Sequence, residues 1–336
     1  MRFRFPASLL LIFAVVWTSR IALAATTCSA TMTDLNFGTS VDPLVGATTT
    51  ATLSYSCTTS GVSNGTAVRI LACFSIGDGS AGDGLTIVPR RMTQSGTNPP
   101  YLNFNVYTDP GGTALWGTFW QPSYPPPEIT ISRTGNGTST GTLTAYGRIP
   151  ASQATVTPGI YLDSFSAGHT TLDYRYREGN GTAPSDCRTG GSGGATGGSF
   201  SFAARATVPA VCTTTASNMN FASPTDLLAT SIDQTSTISL TCTNGANWQI
   251  GLDNGSNASG TQRRMRLGTT GNYVNYELYR DTGRTQRWGA TLSTDTRTGS
   301  GTGTAQSVTV YGRVPPQSPM PAAGSYKDTI LVTVTY

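Results

Sequence analysis

The amino-acid sequence predicts an all-β chain in which one domain occurs twice, and three observations carry that expectation. The composition, with 39 glycines among 336 residues and 11% charged residues, is rich in Thr and Ser and holds almost no run of helix formers. Apolar and polar residues alternate in short segments, such as TISLTC at 237–242 and TILVTVTY at 329–336, separated by Gly, Asn, Asp and Pro turns. Finally, the halves match in order. LNFGTSVDPL (35–44) falls on MNFASPTDLL (219–228), RRM (90–92) on RRM (263–265), and YLNFNVYTD (101–109) on YVNYELYRD (273–281). LWG (115–117) falls on RWG (287–289), TAYGRIP (144–150) on TVYGRVP (309–315), and GIYLDSF (159–165) on GSYKDTI (324–330).

Residues 1–24 read as a signal peptide, with a basic MRFRF start, an apolar run from Ala7 to Trp17 and a small-residue ALA site at 22–24. The apolar run is well below the roughly 20 residues that span a bilayer, so the expected product is exported and begins near Ala25. Export permits disulfides, and the six cysteines leave none over. Cys28 to Cys57 spans 29 residues and Cys212 to Cys242 spans 30, which points to one bridge repeated in both copies, with Cys73 and Cys187 as an extra pair in the first. Other pairings stay open at this stage. Cys73 shares strand parity with Arg69 and Leu71 rather than with Val68, Ile70 and Ala72, so it should face away from the core.

The formal net charge is +4, and loss of Arg2, Arg4 and Arg20 with the leader brings it close to balance. The remaining basic residues are scattered, which gives no case for nucleic acid. Short alternating strands in domains of ordinary size predict immunoglobulin-like β-sandwiches in tandem, the first over 25–198 and the second over 210–336. Between them, 199–209 reads as a strand whose Phe200, Phe202, Ala204, Ala206 and Val208 share one face. The glycine-rich stretch before it, 188–198, reads as a flexible turn.

Catalytic groups are scarce. His169 is the sole histidine, no cysteine is spare, and Glu128, Glu178 and Glu277 show no pairing. Asp163 and Asp328 hold matched positions after a Tyr, which reads as a turn or strand-end role. The expectation is a protein that is not an enzyme, with no metal and no cofactor.

The order of early Cys, NFG, second Cys, RRM, the LY–D and WG pair, YGR–P and a terminal G–Y–D with alternating valines resembles the spore coat protein U domain. The resemblance implies pilin-like sandwiches that lack a final strand and are completed by a strand from another chain. A signal peptide plus two copies is similar to the two-domain tip adhesin of archaic chaperone–usher fibres. It implies a periplasmic chaperone, an outer-membrane usher, a fibre pilin that donates a strand to domain 2, and a surface or host target. The expected location is the pilus tip, reached through the periplasm, and the expected role is attachment and biofilm formation.

On that resemblance, 25–28 is too short to serve as a donor strand, 199–208 completes domain 1 in cis, and domain 2 remains an incomplete sandwich awaiting a donor strand. Its open groove is edged by Ile330, Val332, Val334 and Tyr336. Two insertions found only in the first copy are candidate contact loops: FSIGDGSAGDGLTI (74–87), with Phe74 and Ile76, and TFWQPSYPPP (118–127), with Phe119, Trp120 and Tyr124. Trp116, matched by Trp288, reads as core. The alternatives are a non-adhesive structural cap or coat protein, and an adhesin that binds glycans on Trp120 or Tyr124.

Overall fold

A computed structural model describes residues 25–84, 86–94, 100–222 and 230–336. Residues 1–24, read above as a signal peptide, Leu85 of the first insertion and part of the 219–228 repeat lie outside the described residues. Strands β1 (Ala25–Met32), β2 (Leu35–Asn36), β3 (Ala47–Ser60), β4 (Ala67–Ile76), β5 (Arg90–Gln94) and β6 (Leu102–Tyr107) open the first half. They are followed by β7 (Glu128–Thr134), β8 (Gly137–Ile149), β9 (Gly159–Phe165), β10 (Thr170–Glu178), β11 (Gly193–Gly198) and β12 (Phe202–Val208). The second half holds β13 (Cys212–Ala216), β14 (Ile232–Cys242), β15 (Asn247–Leu252), β16 (Arg263–Leu267) and β17 (Tyr273–Tyr279). It closes with β18 (Arg297–Ser300), β19 (Ala305–Val314), β20 (Tyr326–Lys327) and β21 (Val332–Thr335).

Two immunoglobulin-like sandwiches result. In the first, an eight-stranded sheet in the order β1-β3-β8-β6-β5-β9-β12-β2 faces a four-stranded sheet in the order β11-β10-β4-β7. The second pairs a six-stranded sheet, β13-β14-β19-β17-β16-β20, with a three-stranded one, β18-β15-β21. The period-two patterns supply the inner faces: Leu53, Phe104 and Tyr161 meet Ile70, Phe74 and Tyr174 in one core, while Ile238, Tyr276 and Val310 meet Trp248, Ile250 and Leu252 in the other. The inward residues of β12 belong to the first core.

Each copy carries the same internal brace. The indole of Trp116 donates to the Phe74 carbonyl at 2.7 Å, and that of Trp288 to the Ile250 carbonyl at 2.8 Å. Beside them the first arginine of each RRM is fully buried. Arg90 donates to the Ile76, Gly77 and Trp116 carbonyls at 2.6–2.7 Å, and Arg263 to the Leu252, Asp253 and Trp288 carbonyls. A planar guanidinium can bind the carbonyl that ends β4 or β15 and that of the bracing tryptophan at once, with a fixed fork that a lysine lacks.

The glycine-rich stretch differs from the expectation of a flexible turn. Gly193–Gly198 forms β11, which pairs antiparallel with β10 at the edge of the second sheet. The glycines lie flat there, since a Cβ on Gly193 would run into the Tyr176 ring. The chain crosses to the other sheet only after Gly198.

Candidate functional site

Strand β12 fills a slot between β9 and β2. It pairs antiparallel with β9 from Phe202↔Phe165 to Val208↔Gly159, and parallel with β2 at Ala204↔Leu35 and Arg205↔Asn36. The ladder continues past β2, where Phe37 and Val41 amides donate to the Arg205 and Thr207 carbonyls at 2.9 Å, and the Thr207 amide to the Gly38 carbonyl at 3.0 Å. Phe200, Phe202, Ala204, Ala206 and Val208 are all buried, and Phe202 stacks on Phe165 with centroids 4.4 Å apart and planes 3° from parallel. On the outer face, Asp34 pairs with Arg205 and accepts the Ala203 amide.

The same place in the second copy has no counterpart strand among the described residues. There β20 is two residues long and pairs only with β16. Leu35, Phe37, Met92, Tyr161 and Phe165 are buried around β12; their matched residues Met219, Phe221, Met265, Tyr326 and Ile330 are only half-buried. Val332 and Val334 sit on β21, opposite Leu252 and Ile250, and are half-buried too. Tyr336 is 54% exposed. The apolar side chains beside β20 and β21 are thus less covered than their counterparts in domain 1.

The outer face of domain 1 carries the aromatic loop. All six cysteines are paired, as Cys28–Cys57, Cys73–Cys187 and Cys212–Cys242. Cys73, Cys187 and Leu71 form a small cluster outside the main core, and Phe119 packs on it. Arg188 lies over the Phe119 ring at 4.2 Å and pairs with the buried Asp173 at 3.1 Å. The loop closes on itself, with the Thr118 amide donating to the Tyr124 carbonyl at 2.8 Å; a Cβ on Gly117 would collide with that carbonyl. Trp120 is left 56% exposed and Tyr124 36%.

Two expected contact residues need correction. Phe74 and Ile76 are not at a loop surface: they end β4 and are fully buried. They continue the inward parity of Val68, Ile70 and Ala72, and Phe74 packs against Tyr55 and Phe200, with centroids 5.7 and 6.4 Å away. Phe119 faces inward onto the disulfide, so the outward aromatics of this loop are Trp120 and Tyr124.

The buried electrostatics were missed by reading for catalytic groups. Asp163 is fully buried, with one oxygen accepting from the Ala81 amide at 2.9 Å and the Ser80 hydroxyl at 3.2 Å. Burial pushes its carboxyl up to about 7. Burial likewise pulls Arg90 down to about 10. The recurrence of RRM and of Tyr-x-Asp in both copies was the signal for this network. Among the described residues no group of three or more His, Cys, Asp and Glu is placed to share a metal ion.

A tandem of immunoglobulin-like sandwiches, one completed by β12 and one left with an open edge, is the class this geometry defines. The chain belongs to the Spore Coat Protein U domain family, whose model matches residues 13–168 and 199–333. Protein U of Myxococcus xanthus is 39% identical over 82 residues, which make up 24% of this chain and 45% of that protein. The matched stretch therefore spans about half the length of that relative. Among solved structures, the CsuC-CsuE chaperone-tip adhesion subunit pre-assembly complex from archaic chaperone-usher Csu pili of Acinetobacter baumannii aligns with 92% of this chain. All of the matched chain there is covered, at 17% identity and a TM-score of 0.48. The CupB6 tip adhesin of Pseudomonas aeruginosa aligns with 92% of this chain and 94% of its own, at 12% identity and a TM-score of 0.31.

Proposed function

We propose that this protein is the tip subunit of a chaperone–usher pilus, exported through the periplasm, with domain 2 joined to the fibre and domain 1 making contact with a surface. The observation that carries the reading is the fate of one strand. The second family match begins at residue 199, yet the strand at its start is built into the first core. A pilin's strand for its neighbour is thereby used within the chain, while the β20 edge of domain 2 stays available to a donor strand from a fibre pilin or to a periplasmic chaperone strand. A subunit of this kind terminates a head-to-tail fibre assembled at an outer-membrane usher.

Contact is assigned to Trp120 and Tyr124. Prolines stiffen their loop, the closure at Thr118–Tyr124 and the Cys73–Cys187 cluster hold its base, and two large aromatic faces are presented at low entropic cost. Few polar groups flank the rings, which favours an apolar surface and hence attachment and biofilm formation on such surfaces. Immunogold labelling of intact fibres tests the position: label at one end is expected, and label along the shaft excludes a tip subunit. Cells carrying W120S together with Y124S should make normal fibres but attach to hydrophobic plastic at least about tenfold less, the effect of about 1.4 kcal/mol. Unchanged attachment would leave a non-adhesive cap.

A further inference from the structure

The edge strand β20 of domain 2 carries a charge pattern that its counterpart in domain 1 does not. The two registers coincide: β5 meets β9 at Thr93↔Leu162 and Gln94↔Tyr161, and β16 meets β20 at Arg266↔Lys327 and Leu267↔Tyr326. In domain 1 the next strand out is β12, which sets Ala203, Arg205 and Thr207 opposite Ser164, Leu162 and Ile160 on the outer face. By the same count, the strand that completes domain 2 sets its outward residues opposite Thr329, Lys327 and Ser325. Residues directly opposite on one face of a sheet interact, and like charges there repel.

Around this row the charges of domain 1 cancel. Arg91 pairs with Asp83 at 3.4 Å, and Arg205 pairs with Asp34. Domain 2 gains cations and loses acids: Arg264 stands where Arg91 does, Arg266 replaces Thr93, Lys327 replaces Leu162, and Asn218 replaces Asp34. Tyr273 gathers the two arginines, whose guanidinium carbons lie 4.1 and 6.0 Å from its ring centre. Both donate to backbone carbonyls, of Asn257 and Thr270, so they are held in place without being neutralised. Among the described residues none of these three cations is in an ion pair. The carboxylate next to Lys327, that of Asp328, is turned inward to Tyr276 and Asn257. Lys327 itself is exposed, and it is the single lysine of the chain.

We propose that the strand completing domain 2 comes from a fibre pilin and carries a carboxylate, Asp or Glu, at the residue opposite Lys327. The inference rests on the reading of domain 2 as a strand acceptor and adds what selects the strand. Alternate apolar residues of the donor cover the half-buried Met219, Phe221 and Tyr326, while its outward carboxylate meets Lys327 and, one strand further in, the field of Arg266. The same cations act against a wrong strand. A β12 from a second copy would bring Arg205 opposite Lys327, with Asn218 in place of the aspartate that Arg205 pairs with in domain 1. Copies of this chain are thereby kept from stringing together head to tail.

The probes are two peptides of residues 199–209 with capped ends, one unchanged and one carrying Arg205→Glu, offered to the full chain, whose domain 1 slot β12 already fills. Competition against a fluorescein-labelled copy of the R205E peptide reads both affinities. The R205E peptide should bind about tenfold tighter at low salt, the gap should narrow as salt is raised, and K327E in the full chain should reverse the order. Carbodiimide should couple the glutamate of the bound peptide to Lys327, and on intact fibres it should couple Lys327 to an Asp or Glu of the pilin's donor strand, both read by peptide mapping. Equal binding of the two peptides, or an order that K327E leaves unchanged, overturns the charge pairing while domain 2 remains a strand acceptor. A pilin donor strand with no carboxylate coupled to Lys327 overturns the assignment to the pilin. If neither peptide binds, the acceptor reading itself falls, and this inference with it.

Discussion

Phe202 is the anchor of β12, and truncating it to alanine measures how far that strand is part of domain 1. Its side chain is 6% exposed and stacked on Phe165, its partner in the ladder. Removing a buried phenylalanine from a core costs about 3–5 kcal/mol, including the cavity left behind; roughly 1 kcal/mol of that is the aromatic pair. A domain has only about 5–15 kcal/mol to lose, so the domain 1 transition should fall by on the order of 10 °C. Calorimetry of the full chain is the assay, with the domain 2 transition as internal reference. Ile160 lies on the outward face of β9 at 69% exposure, and I160A should shift stability by no more than about 0.5 kcal/mol. A loss below about 1 kcal/mol for F202A would mean that β12 is a loosely held link, and cis completion would fail with it.

Three further outcomes are expected. The folded state holds the Asp163 proton up to about pH 7, whereas the unfolded chain releases it near pH 4. Stability of domain 1 should therefore fall as pH rises through that window, by a few kcal/mol in order of magnitude, and D163N should flatten the profile measured by denaturant unfolding from pH 4 to 8. Replacing Cys73 and Cys187 together by alanine opens a loop of 114 residues, for which chain entropy gives about 4–5 kcal/mol; unfolding of domain 1 and protease cutting at 118–127 should both report it. E277A removes the carboxylate shared by Arg263 and Arg287, and leaving Arg263 buried without it should cost about 3–5 kcal/mol in urea unfolding of domain 2.

The duplication and the sandwich class were legible because side chains with a period of two repeat in order in both halves. So was the inward face of β12, whose alternation from Phe200 to Val208 is unbroken. Phe74 and Ile76 were misplaced because two Asp-Gly turns drew the loop boundary back into β4, although parity from Val68 continued through both. The glycine-rich β11 was invisible for a different reason. A strand without side chains carries no alternation, and its pairing with β10 depends on the flat surface that Tyr176 offers.

Asp163 and Asp328 show what the loop after β4 and β15 does in both copies. In domain 2 the carboxylate of Asp328 accepts from the Tyr276 hydroxyl at 2.7 Å and from the Asn257 amide and side chain at 3.1 and 3.0 Å. Domain 1 has Phe104 where Tyr276 stands, so that hydroxyl is missing. The Ala81 amide donates to Asp163 as the Asn257 amide does to Asp328, and the Ser80 hydroxyl supplies a donor in place of the missing phenol. Gly79, at φ +78°, lies against the carboxylate so closely that any Cβ would collide with it, and the fold of 77–84 is completed by Gly84 donating to Asp78 at 2.5 Å. This loop is thus a cap drawn over a buried acid rather than a surface held out to a partner. Full burial under that cap, where Asp328 is only half-buried, explains why Asp163 keeps its proton to about pH 7. The cap is committed to the fold in both copies, as 255–257 over Asp328 shows, which leaves 118–127, with Trp120 and Tyr124 outward, as the loop of domain 1 free to make contact.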